Sequence, residues 1–144
     1  MTPLRTVAFT VEPAPLMALN ELMRSHHRVY QAHVRATAQC FWAALADQGI
    51  RPQAPGFRPL RYVEVRFTVR TKQLLDADNK VVIAKAPLDA LKLAHPKTNP
   101  HGLGVITDDS DGEHGNPGFV RRLEVQQVRG VVPALSVELR EVAK

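Results

Sequence analysis

Apolar residues recur along the chain with two different periods, and these periods predict its strands and helices. Thr6–Val11 and Tyr62–Arg70 carry an apolar side chain at every second position, which is typical of a strand with one buried face. Between them, Leu16–Asp47 contains no proline or glycine and has an apolar stripe at helical spacing. We expect a helix from about Ser25, a suitable N-cap, to Ala46. The stripe consists of Val34, Ala38, Phe41 and Leu45.

A second helix is predicted after the second strand. Asp78 or Asn79 is a suitable N-cap for it, and the helix is expected to continue toward Lys92. Pro87 lies inside this stretch, where it should kink the helix or restart it, because proline lacks an N–H and its ring clashes with the preceding turn. The segment Ala94–Gly104 is rich in proline and glycine and is therefore predicted to be a loop.

Two further strands are predicted at the end of the chain. They are Phe119–Val128 and Ala134–Val142, joined as a hairpin by a turn at Gly130–Pro133. The resulting order is β-α-β-α-β-β. It predicts one domain over residues 1–144 of the α/β (α+β) class, with a mixed sheet of about four strands and two main helices packed on it.

The composition is that of a folded domain with a positive surface. Of 144 residues, 44% are apolar and 23% are charged, which excludes a largely disordered chain. The net charge of +5 favours a polyanionic partner such as nucleic acid, although a solvated basic surface has the same composition. The single cysteine, Cys40, suits a reducing compartment. With no signal-peptide or membrane-span pattern, we expect a cytoplasmic protein without a membrane partner.

Acidic residues on both sides of the second helix predict a divalent-metal site. Asp76 and Asp78 follow a strand with one residue between them, and Asp109 comes about thirty residues later, next to Asp108. Extended backbone places side chains two apart on the same side, and Mg²⁺ or Mn²⁺ prefers a few carboxylate oxygens with water and substrate phosphate. The alternative is that the first pair is turn and cap chemistry and that Asp108–Asp111 is a solvated acidic turn.

Lys85 is the cation that this arrangement singles out. It follows Asp78 by seven residues, which is nearly two turns of a regular helix, so both side chains are expected on one side. An ammonium group there can hold a scissile phosphate or stabilise the charge that develops on it. Asp89, four residues later, returns to the same face and is expected to position that ammonium. The alternative is that Lys85 and Asp89 form an ordinary surface ion pair.

Taken together, these residues resemble the RusA family of Holliday-junction resolvases, which are small homodimeric endonucleases of phages and prophages. The family pattern is an Asp-x-Asp-Asn run, a lysine, Asp-Ala-Leu four residues after that lysine, and then Asp-Asp. The corresponding residues here are Asp76-Ala77-Asp78-Asn79, Lys85, Asp89-Ala90-Leu91 and Asp108-Asp109-Ser110. The segment Leu103–Ile106 is also similar to the family's lead into the acidic pair, so the resemblance covers most of the chain.

The resemblance implies a role for each of these residues. Asp76, Asp78 and Asp109 match the magnesium-binding catalytic carboxylates, and Lys85 matches the essential lysine. The residues with supporting roles are Asn79, Asp89 and Asp108. The basic residues expected near DNA are Arg24, Arg28, Arg35 and Lys80, although arginines along one helix are also typical of a solvated face.

Two departures from the family pattern affect these assignments. The spacing from Asp78 to Lys85 is longer by about one helical turn, which makes Lys80 a competing candidate for the lysine role. The segment between Leu91 and Asp108 is also extended. This added loop is expected to influence substrate choice or dimerisation.

Three hypotheses follow. The first is a magnesium-dependent endodeoxyribonuclease that resolves four-way (Holliday) junctions by paired nicks in DNA recombination and repair, with a symmetric homodimer supplying two sites. The second is a catalytically inactive protein of the same fold that binds junctions or other DNA. The third is an unrelated basic α/β domain whose acidic run serves only as a helix cap.

Overall fold

The computed structural model of this protein describes residues 4–16, 27–74, 82–108 and 119–143. Within these ranges the predicted order of elements is confirmed, and the bounds of the strands differ from the predicted ones by at most one residue. None of the helices among these residues is long and apolar enough to cross a membrane. The elements are β1 (Thr6–Val11), α1 (His27–Asp47), β2 (Val63–Thr71), α2 (Lys85–Leu91), β3 (Val120–Arg129) and β4 (Ala134–Glu141).

The described strands form one mixed sheet in the order β1-β4-β2-β3. β4 is antiparallel to both of its neighbours, and β2 is parallel to β3. The predicted α+β class with a mixed four-stranded sheet and two helices is therefore confirmed. The register aligns the alternating apolar positions into rows, because Phe9 lies opposite Val137 and Val137 lies opposite Phe67. Each row presents its apolar side chains to the same face of the sheet.

The predicted hairpin between the last two strands is wrong. β2 lies between β3 and β4, and the connecting turn passes over the end of β2, where Gly130 N–H donates to Thr71 O at 3.0 Å. Two strand spacings are about 10 Å, which four residues span easily. Alternation within a strand shows which face is buried but not which strand is its neighbour. The buried face of β4 suits a central position, whereas β3 exposes Leu123 and Val128, as an edge strand can.

Helix α1 covers the apolar face of the sheet with its predicted stripe. Val34, Ala38, Phe41 and Leu45 are all buried, and the ring of Phe41 meets that of Phe9 edge-on with 5.0 Å between centroids. Burial of such side chains contributes about 1.5–3 kcal/mol each for the larger ones. The same helix also packs against α2. Because α1 contacts both, it positions α2 relative to the sheet.

The second predicted helix is interrupted shortly before Pro87. Val82 is helical, Ile83 and Ala84 form a turn, and α2 then starts at Lys85. Pro87 lies in the first turn of α2, where a missing N–H costs nothing because that position has no intrahelical acceptor. The predicted restart is thus found just before the proline. It interrupts the regular helix on which the shared facing of Lys85 and Asp78 was predicted, and that facing stays a prediction because Asp78 lies outside the described residues. The predicted caps Ser25, Asp78 and Asn79 lie outside the described residues.

Candidate functional site

Lys85 is the first residue of α2, and its ammonium group lies over an aromatic ring. Its Nζ lies 5.3 Å from the ring centroid of Tyr30, which α1 contributes. A cation over the face of an aromatic ring is attracted by the negative potential of that face, by about 0.5–1 kcal/mol when exposed. Among the described residues the Lys85 ammonium has no carboxylate partner. Tyr30 therefore orients this ammonium and leaves its charge available to an anion.

Asp89 is linked to Lys85 through Tyr30, and no ion pair joins the two side chains. The Tyr30 hydroxyl donates to Asp89 Oδ2 at 2.5 Å, and Lys92 Nζ lies 3.2 Å from Asp89 Oδ1. Both carboxylate oxygens thus have a partner, and only 16% of the side chain is exposed. The expected direct positioning of Lys85 by Asp89 is replaced by an indirect one: Asp89 holds the Tyr30 ring over which the ammonium rests.

These side chains border one open pocket of about 440 Å³ between α1 and α2. On its wall, Gln31 Oε1 is buried without a hydrogen-bond partner among the described residues. A buried acceptor left without a donor costs roughly 1–3 kcal/mol, so this position favours an additional donor. The pocket is lined by His27, Tyr30, Gln31, Lys85, Asp89, Lys92 and Thr98.

The loop after α2 closes the C-terminal end of that helix. Asn99 is 3% exposed, and its Nδ2 donates to Asp89 O at 2.8 Å and to Leu93 O at 3.2 Å. The last carbonyls of a helix have no partners within it and need such donors. Backbone N–H groups of the loop supply the rest, in the pairs Leu103 to Ala90, Gly104 to Lys92, Val105 to Leu91 and Ile106 to Leu91. The predicted loop therefore caps the C-terminal end of α2 and holds the backbone at Asp89 in place.

Gly102 shows how tightly this loop fits the helix end. A Cβ atom at that position would overlap the carbonyl oxygen of Lys92 and the side-chain amide of Asn99. Beyond it, Leu60 N–H donates to Val105 O at 2.8 Å, and Thr107 N–H donates to Leu60 O at 3.0 Å. The chain leading into the second acidic pair is thus anchored to the C-terminal end of α2 and to the residues just before β2.

All three predicted metal ligands, Asp76, Asp78 and Asp109, lie outside the described residues. Asp108 directly follows the anchored segment, and among the described residues no three His, Cys, Asp or Glu side chains group as metal ligands. The chemistry of the donor set fits the ion that was predicted, because three carboxylates supply the hard oxygen ligands that Mg²⁺ prefers. The predicted residues outside the described ranges are Asp76, Asp78, Asn79, Lys80, Asp109 and Arg24.

The two described arginines predicted near DNA both lie on the exposed side of α1. Arg28 is one residue from the start of the helix, close to the pocket-lining His27. Arg35 borders a second groove, of about 320 Å³, which α1 forms with the loop after α2. Trp42 borders that groove as well and is 44% exposed.

The outer face of the sheet is electrically balanced, in contrast to the helical side. Arg66 Nε lies 3.4 Å from Glu124 Oε2, and Arg140 pairs with Glu64 on the neighbouring strand. A hydrogen bond from Gln126, followed by the positive charge of Arg66, lowers the pKa of Glu124 against the effect of desolvation. Arg66 and Arg140 on this face are therefore paired with carboxylates of neighbouring strands.

Sequence reasoning missed Tyr30, Lys92 and Asn99. Tyr30 precedes Val34 by four residues, so an extension of the apolar stripe by one turn would have placed it on the inner face of α1. Lys92 was named only as a helix end. Nothing local to Asn99 indicates that it caps a helix that ended several residues earlier. No model of a known protein family matches this chain, and a search of curated proteins finds no match.

Proposed function

We propose that this protein is a metal-dependent endodeoxyribonuclease that cuts branched DNA, with the four-way junction as its substrate, in recombination and repair. The observation that carries the proposal is the Lys85 ammonium, which is oriented by Tyr30, lacks a carboxylate partner among the described residues and opens into a pocket beside α1. A phosphodiester is an anion that such a group binds. The acidic runs that resemble those of the RusA family stand before and after this lysine in the chain.

Each described side chain has a separate task in this proposal. Lys85 binds the scissile phosphate and stabilises its developing charge. Tyr30 holds the ammonium, and Asp89 holds the Tyr30 hydroxyl while Lys92 balances the Asp89 charge. Asp76, Asp78 and Asp109 would hold Mg²⁺ or Mn²⁺, which polarises a phosphoryl oxygen and makes bound water a better nucleophile. In a homodimer two such sites would make paired nicks across the junction.

A cleavage assay tests the proposal. A synthetic four-way junction is incubated with the protein in Mg²⁺, and the products are mapped on a denaturing gel. We expect paired nicks that disappear with EDTA and in Asp76→Asn. We expect Lys85→Ala to lower the cleavage rate by about 10²–10³, as loss of one preorganised donor does elsewhere. Arg129→Ala, which removes an exposed cation at the end of β3, is the control and should cleave like the wild type.

The other hypotheses correspond to other results of the same experiment. Junction binding that survives metal removal without any nick in Mg²⁺ or Mn²⁺ would refute the nuclease proposal and identify an inactive DNA-binding protein. Absence of both binding and cleavage, with no saturable metal site that depends on Asp78 and Asp109, would identify an unrelated basic domain.

A further inference from the structure

Trp42 is a large aromatic side chain that the fold does not bury. It lies on α1, seven residues after Arg35, so the two side chains share one side of the helix two turns apart. Both border the groove of about 320 Å³ that α1 forms with the loop after α2. His101 from the loop after α2 also lines the groove, together with the apolar residues Ala38, Pro100 and Leu103. The groove therefore combines an open indole face with cationic and polar groups around it.

This groove and the Lys85 pocket follow the same helix. α1 contributes Tyr30 to the pocket and Trp42 to the groove, and the chain after α2 contributes Thr98 to the first and His101 to the second. Twelve residues of helix separate Tyr30 from Trp42, which is roughly 18 Å along its axis. That length accommodates a few nucleotides of a single strand.

We propose that the groove at Trp42 binds an unpaired nucleotide of a DNA strand, with the base stacked on the indole and the adjacent phosphate on Arg35. Single-strand sites combine a positive groove with aromatic rings on which bases stack. A base within a duplex has both faces covered by its neighbours, so the groove selects a base that has left the stack. The choice of DNA rests on the proposed function, since a branch point is where a junction presents such bases.

The sequence provides a direct probe, because Trp42 is its only tryptophan. The protein is titrated in EDTA with an oligothymidylate of about 12 nucleotides, a length within the usual site sizes of single-strand binders. We expect saturable quenching of the tryptophan emission, weaker quenching by a duplex of the same length, and none by inorganic polyphosphate, which carries the charge without bases.

Variants test the two halves of the site separately, by fluorescence anisotropy of a labelled oligonucleotide. Trp42→Leu should weaken binding roughly five- to hundred-fold, and Trp42→Phe less, because a smaller ring still stacks. Arg35→Gln should weaken binding and reduce the slope of log affinity against log salt by about 0.7, the value for one phosphate contact on a single strand. Arg129→Gln, the same charge change at the exposed end of β3, is the matched control and should bind like the wild type.

Each contrary result is distinguishable from failure of the proposed function. Unchanged emission at saturating oligonucleotide, or wild-type affinity in a Trp42→Leu protein with a normal melting curve, would overturn the stacking site even if junctions are cleaved. So would equal quenching by polyphosphate. If Trp42→Leu does not fold, the wild-type quenching and Trp42→Phe decide the question. Binding that depends on Trp42 without metal-dependent cleavage would support this site and refute the nuclease alone.

Discussion

Replacing Asn99 with aspartate removes the side-chain donors that close the C-terminal end of α2. The side chain keeps its size, but an oxygen takes the place of the Nδ2 that donates to Asp89 O at 2.8 Å and to Leu93 O at 3.2 Å. Asn99 is 3% exposed, so water cannot take over either bond without a rearrangement. The change therefore leaves two carbonyl oxygens without that donor and places a carboxylate against them.

The expected loss of unfolding free energy for Asn99→Asp is about 3 kcal/mol or more at pH 7. The two hydrogen bonds contribute about 1 kcal/mol each. A polar group buried without a compensating partner adds roughly 1–3 kcal/mol. Asn99→Ala removes the same bonds without introducing a charge, so its loss should be about 2 kcal/mol. The difference between the two losses of unfolding free energy thus separates the contribution of the charge from that of the hydrogen bonds.

Urea unfolding followed by circular dichroism measures these losses. With a slope of about 2 kcal/mol per M, Asn99→Asp should lower the midpoint by about 1.5 M. Thr98→Ala, at the exposed neighbouring position, is the control and should stay within about 0.5 kcal/mol of the wild type.

The pH dependence of the Asn99→Asp loss gives a second measurement. Burial raises the pKa of the introduced carboxyl group above that in the unfolded chain. The folded variant therefore binds more protons than the unfolded one in that window, and the loss narrows as the pH falls from 7 toward about 5. An Asn99→Asp protein as stable as Thr98→Ala, or one whose deficit does not depend on pH, would refute the role given to this cap.

Two further predictions concern the Arg5–Glu141 ion pair and the Lys85 pocket. Burial alone would raise the pKa of Glu141, but hydrogen bonds and charge from Arg5 outweigh it and lower that pKa. Glu141→Gln should therefore lose about 1–2 kcal/mol at pH 7. The deficit should fade as the pH falls from the ordinary carboxyl range through the lowered pKa of Glu141, because the wild-type carboxylate is then protonated. Denaturant titrations at pH 7 and in acid check it, and a constant deficit would argue against the ion pair. Tyr30→Phe keeps the ring under Lys85 but loses the bond to Asp89, whereas Tyr30→Leu loses both. We expect Tyr30→Phe to lower the melting temperature by about 2–4 °C, with a loss of about 1 kcal/mol. Tyr30→Leu should weaken junction binding more than Tyr30→Phe, because it also removes the ring under the ammonium. Equal binding by both variants would show that the ring does not position the ammonium.

The apolar stripe of α1 and the alternation of the strands were readable from the sequence because they are local. A residue such as Phe41 or Phe67 is buried through its position in a repeating pattern, whichever partner it meets. Pro87 likewise indicated a kink or restart of the helix, because its ring and its missing N–H disrupt the preceding turn. These features depend on residues a few positions apart, and the strand bounds were predicted to within one residue.

The candidate site was only partly readable, because its links join distant parts of the chain. Lys85 and Asp89 were recognised from spacing, but the residue that connects them, Tyr30, belongs to a helix more than fifty positions earlier. Asn99 acts on carbonyls whose need for a donor exists only once α2 has ended. The sequence motif, which resembles that of a nuclease family, thus contains the charged groups but not the side chains that orient them.

The sequence by itself determined the order of the elements, the face of each that is buried, the excess of positive charge and the acidic runs around Lys85. Each of these is a property of residue types at short spacing. Only the tertiary structure decided that β2 separates β3 from β4, and that the Lys85 ammonium rests on Tyr30. It also decided that Trp42 faces an open groove instead of the core. Such features depend on which surfaces meet, and that choice is made by the packing of the whole chain.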